Sequence, residues 1–119
     1  MARPGPVMEK SYLFAVQLVR VMRGLQEKNR EYLLSRQCLR SGTSIGANVE
    51  EAGAGQSRKD FVAKMAIASK EARETHYWLR LLRDSEYLEI DQAKKLLVDC
   101  EELIRLLTAI VKTSQSGSN

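Results

Sequence analysis

Lys70, Arg73, Tyr77 and Arg80 follow one another at steps of three, four and three residues. On an α-helix such steps bring three cations and an aromatic ring to one face. The chemistry of this stripe is non-covalent: the cations neutralise phosphates along a nucleic-acid backbone, and the tyrosine ring stacks on an unpaired base. Arg58 and Lys59 extend the positive charge to the start of the same segment, where the unsatisfied amides of a helix N-terminus also favour anions. The alternative is a solvated face whose charges pair within the helix, as Lys70 would with Glu74.

Glu71 and Glu74 lie beside the stripe, and paired acids can perform general acid/base chemistry. A structural role is the expectation instead, because Arg40 and Ser44 of the preceding segment are placed to meet them. Carboxylates at a helix interface need a cation and a hydrogen-bond donor, and the network Arg40, Ser44, Glu71 and Glu74 would fix helix register. The single histidine, His76, falls near Ser35, with no aspartate placed to orient it as a triad demands. Cys38 and Cys100 have neither metal-ligand spacing nor a disulfide-framework pattern, which predicts two reduced core thiols. The glycines of "GTSIGANVEEAGAG" follow no strand and make no nucleotide fingerprint. No catalytic residue, metal or cofactor is expected.

The elements that must position these residues are helical. Pro4 and Pro6 are the only prolines and both precede the first periodic segment, so nothing in the body of the chain forces a helix to break. Helices are predicted over about 7–28, with Phe14, Leu18, Val21 and Leu25 inward, and over about 31–55. A third follows over 58–84, capped by Ser57 with Asp60 three residues on. The fourth covers 91–113, capped by Asp91, with Leu96, Cys100, Leu103, Leu107 and Ile110 inward. The polar tail 114–119 reads as flexible. Four amphipathic segments with short connections suit a single all-α domain, an antiparallel up-down-up-down four-helix bundle.

The second helix contains "SGTSIGANVEEAGAG", rich in glycine and poor in strong helix formers. Its seam reads Leu34, Cys38, Ser41, Ile45, Asn48, Ala52 and Gly55; that of the third helix reads Phe61, Met65, Ala68, Ala72, Thr75, Leu79 and Leu82. A short turn at "GQS" pairs Ala52 with Phe61, Asn48 with Met65, Ile45 with Ala68, Ser41 with Ala72, Cys38 with Thr75 and Leu34 with Leu79. All six pairs share one antiparallel register. Large residues meet small ones in most layers. Gly42 and Gly46 each cost about 1 kcal/mol of helix propensity, which close packing against the third helix is expected to offset. The same register sets Glu51 beside Lys64, Ser44 beside Glu71 and Gln37 beside Trp78. Ile67, Trp78 and Leu81 form a further apolar strip facing either another helix or a neighbouring subunit.

The bulk properties agree with this outline. The 119 residues suffice to bury a core without staples. Neither a signal sequence nor a run of about eighteen apolar residues is present, which predicts a cytoplasmic protein with no membrane partner. Nineteen Lys and Arg against fifteen Asp and Glu leave a net charge of +4, which makes an acidic partner plausible alongside ordinary solubility charge.

The stretch "QCLRSGTSIGANVEEAGAGQSRKDFVAKMAIASKEARETHYWLRLL" closely resembles a bacterial family of small four-helix-bundle proteins, some of them encoded by intervening sequences within large-subunit ribosomal RNA genes. The pattern "RSGTSIGANV-EA" followed by "S-KDF--K--IA-KEA-ET-YWL-LL" carries the resemblance through the second and third helices; the first and fourth fit by length and apolar spacing. Related bundles include the accessory variability determinant of diversity-generating retroelements. That resemblance implies a basic homopentamer that binds RNA or DNA and a reverse transcriptase. The resulting expectation is a non-enzymatic, ring-forming bundle that offers basic helix faces to nucleic acid. A protein-interaction scaffold docking a partner enzyme such as a reverse transcriptase is the alternative.

Overall fold

The computed structural model describes residues 5–55 and 57–116. Helix α1 covers Pro6–Asn29, α2 Leu33–Gly53, α3 Arg58–Asp84 and α4 Ile90–Ser116. Each helix packs against its neighbours in the chain, α1 also against α4, and the most extensive boundary is that of α2 with α3. This is the all-α up-down-up-down bundle that the periodicity predicts, drawn out to 51 × 20 × 20 Å.

Local chemistry explains where the helices begin and end. Gly5 takes a φ of 72° just before Pro6, whose fixed φ and missing N–H suit the first helical position. Arg30 adopts the left-handed conformation that closes α1. Glu31 stands outside α2 rather than at its start: its carboxylate accepts the Leu34 N–H at 2.9 Å and the Ser35 N–H at 2.7 Å. Those amides have no partner inside the helix, so a buried acid is satisfied there and complements the positive helix end. Ser57 caps α3 by accepting the Asp60 N–H at 3.0 Å.

Asp91 does not cap α4. The helix begins one residue earlier and holds Asp91 in its first turn, with the Glu89 carbonyl accepting the Ala93 N–H. Residues 114–116, expected in the tail, continue α4, while 117–119 lie outside the described residues. So does Gln56, the middle of the predicted "GQS" turn.

The glycine-rich segment 41–46 is continuous α-helix. The buried residues of α3 are Phe61, Met65, Ala68, Ala72, Thr75, Leu79 and Leu82, the predicted seam without exception. Lys64 of α3 pairs with Glu51 of α2 at 2.9 Å as the register predicts, while Thr75, expected opposite Cys38, donates its hydroxyl to Ser41 Oγ at 2.8 Å, three residues along.

The buried stripe of α2 is displaced from the predicted seam: Ser35, Gly42, Gly46 and Val49 join Cys38, Ser41, Ile45 and Ala52, while Leu34 and Asn48 are half-buried and Gly55 lies beyond the helix. A methyl group on Gly42 would overlap Leu18 Cδ2 of α1, and one on Gly46 would touch the backbone and hydroxyl of Ser11. Gly42 therefore makes room for Leu18 of α1 while also facing Thr75 of α3, the helix to which the sequence pointed; Gly46 faces Ser11 of α1 with room for a methyl. Helix α2 has two neighbours, and a single seam accounts for only one of them.

Candidate nucleic-acid interface

Helix α3 divides its polar residues between two sides. Toward α2, Arg40 bonds to Glu74 and lies 3.6 Å from Glu71, while Trp78 Nε1 donates to the same Glu74 carboxylate at 2.9 Å. Arg40 also reaches Gln37 Oε1 at 3.4 Å. The structure thus brings together three of the four expected network members and adds Gln37 and Trp78. Ser44 stands apart: its hydroxyl and carbonyl accept Asn48 Nδ2 at 3.1 and 2.9 Å. The hydroxyl expected to donate to Glu71 is instead seen accepting from the asparagine one turn away.

The apolar strip does not act as one surface. Trp78 packs against the core while Ile67 faces outward.

Toward α4 the balance of charge changes. Arg73, His76 and Arg80 of α3 and Glu101, Ile104 and Arg105 of α4 line a recess of about 510 Å³. Arg73 Nη2 donates to Thr108 Oγ1 at 2.9 Å, and the Arg80 guanidinium lies 5.8 Å from the centre of the Tyr77 ring, within reach of a cation–π attraction. Lys70 and Tyr77 are exposed on the adjoining outer surface of α3. Arg58 and Lys59 lie on the first turn, about 30 Å along the helix from Arg80. Arg58 is turned to the Ser114 carbonyl at 3.4 Å, and the two basic residues edge a second, mostly apolar recess with Val62, Ala63 and Ala66.

His76 belongs to this side rather than beside Ser35. Its Nε2 lies 2.9 Å from Glu101 Oε2. An ionised carboxylate can only accept, so that ring nitrogen carries the hydrogen. Ser35 is engaged elsewhere, donating to the Glu31 carbonyl and accepting from Gln26. Glu101, Ile104 and Arg105, the lining residues of α4, were missed by sequence reasoning. An antiparallel register sets α4 along the stripe, but which of its residues face the stripe depends on the rotation of α4 about its axis.

Cys38 and Cys100 are free and buried. Burial pushes both thiols up to about 12, and Cys100 Sγ donates to the Ala72 carbonyl at 3.3 Å. Among the described residues no group of three or more His, Cys, Asp or Glu side chains is placed to hold a metal ion. No helix among them is long and apolar enough to cross a membrane.

No curated protein matches the chain. Among solved structures, a protein of unknown function from the S23 ribosomal protein family of Bacteroides thetaiotaomicron VPI-5482 is 48% identical, with a TM-score of 0.87 over 90% of this chain and 99% of that one. Residues 5–109 match the model of the 23S rRNA-intervening sequence protein family, so the bundle and its two-sided third helix are those of a member of that family.

Proposed function

We propose that this chain is a non-enzymatic, self-associating cytoplasmic bundle that binds structured RNA through the outer face of α3 and the adjoining edge of α4. The observation that carries the reading is the excess of cations there: Arg73, Arg80 and Arg105 share one recess with a single carboxylate, Glu101. Lys70 and Tyr77 continue the surface outward. Arginine forks suit phosphate oxygens, and an exposed tyrosine ring offers a stacking platform. Arg58 and Lys59 extend the surface along the same helix. The family's description, a protein of 23S rRNA-intervening sequences, supports RNA as the nucleic acid.

Self-association, with the homopentamer implied by the family resemblance, is supported by an apolar groove on α1 formed by Tyr12, Ala15, Val16 and Val19 and bordered by Arg20 and Arg23. Light scattering reads the assembly mass directly; a monomer at micromolar concentration would exclude the ring.

The RNA reading is tested by titrating a structured RNA at several salt concentrations. Affinity should fall as salt rises, and replacing Lys70, Arg73 and Arg80 together by Ala should flatten the log–log slope by about two to three. An unchanged slope would remove this face as the interface. Recovery of a bound partner protein after nuclease treatment, with no RNA affinity, would favour the scaffold reading.

A further inference from the structure

We propose that the recess between α3 and α4 binds a terminal phosphomonoester of an RNA chain, in addition to internal phosphodiesters met along the stripe. The proposal rests on the RNA-binding reading for the molecule that carries the phosphate; the preference for an end comes from the recess itself.

Charge is the first argument. Three guanidiniums and one carboxylate line the recess, an excess of two positive charges. A terminal phosphate group carries about −1.5 to −2 at neutral pH, whereas a diester carries a single negative charge. The lining therefore matches the monoester and overcompensates the diester.

The second argument is the arrangement of the cations. Arg73 and Arg80 are two turns apart on α3, about 10 Å along its axis. Arg105 comes from the other helix and lines the same recess from across the groove. A diester chain runs past successive cations, and a line of them along one helix serves it. Cations from two helices around one point serve a group with three terminal oxygens, each able to accept from a different fork.

The donors are also available. Among the described residues Arg105 has no hydrogen-bond or ion-pair partner, and Arg80, which faces the Tyr77 ring and lies in the field of Asp84, commits no hydrogen bond. Arg73 commits one nitrogen to Thr108. The lone acid, Glu101, lies 2.9 Å from His76 Nε2. Tyr77, half exposed beside Arg80, stands where the base of a terminal nucleotide can stack.

The test uses one oligoribonucleotide sequence in three forms: 5′-phosphate, 3′-phosphate, and hydroxyl at both ends. Fluorescence anisotropy with the full chain should show one phosphorylated form binding about tenfold more tightly than the hydroxyl form, and the better form identifies which end is held. Arg105→Ala, at an exposed position, should weaken the preferred form about tenfold more than the hydroxyl form. Equal affinity of all three forms overturns the terminal-phosphate site while leaving the RNA reading intact. Absence of binding by every form overturns both.

Discussion

Toward α2, helix α3 presents Lys64, Glu71 and Glu74, and each meets an opposite charge on the neighbouring helix. Toward α4 it presents Arg73, His76 and Arg80, which meet one acid and a further cation. Both sides flank the same buried seam. They differ in whether the adjoining helix supplies the complementary charge. Where it does, polar residues are consumed in aligning the bundle; where it does not, their donors remain available to another molecule.

The strongest way to break this comparison is to ask whether the α4 side opens by itself. Cys38 lies on α2 and Cys100 on α4, both buried. With each thiol held near 12, above its ordinary 9.0, the folded state favours the protonated form. Its contribution to stability is complete below pH 9 and is lost as pH rises toward 12. Denaturant midpoints should therefore fall steeply above pH 9, the largest effect expected here. At pH 8 neither thiol should react with a maleimide unless the chain unfolds. Labelling of Cys100 ahead of Cys38 would show an α4 side that opens independently.

A smaller effect is expected at the α1–α2 contact. Gly42→Ala forces the fully buried Leu18 to move, costing about 1–3 kcal/mol against a helix-propensity gain of about 1 kcal/mol. Gly46→Ala places its methyl at ordinary contact distance, 3.5 Å from Ser11, and should be neutral or stabilising by up to about 1 kcal/mol. Urea titration of the pair checks whether Gly42, and not Gly46, makes room for α1. Equal outcomes would contradict the assignment.

The comparison of charges predicts an exchange of phenotypes. Arg40→Ala leaves Glu71 and Glu74 without their cation and should cost about 0.5–1 kcal/mol, modest because the guanidinium is half exposed. RNA affinity should hardly change. Arg73→Ala should alter stability by less than about 0.5 kcal/mol and weaken RNA binding. If Arg40→Ala weakened binding as much as Arg73→Ala, the division of α3 into two sides would fail. The smallest effect belongs to Gly24→Ala on α1, where nothing lies near an added methyl; thermal unfolding should show a gain of up to about 1 kcal/mol from helix propensity alone.

Periodicity made the fold legible, because a helix buries what lies at steps of three and four and exposes the rest. The α3 seam, the Ser57 cap and the Glu51–Lys64 pair all follow from that rule and one short turn. Residues whose roles depend on a third helix were harder to place. Gly42 was assigned to α3 although Leu18 of α1 fills the space beside it, and Glu31 was read as the first residue of a helix that it instead caps. Arg105, His76 and Ser44 each needed the rotation of a neighbouring helix to be known.

The sequence by itself determined four amphipathic helices and the register of the middle pair, since both depend on contacts close along the chain and on a spacing that repeats. Only the tertiary structure decided how α1 and α4 turn their faces toward that pair. Rotating a helix about its axis changes its partners without changing its spacing. For that reason the charged recess, built from two helices, is visible only in the folded bundle.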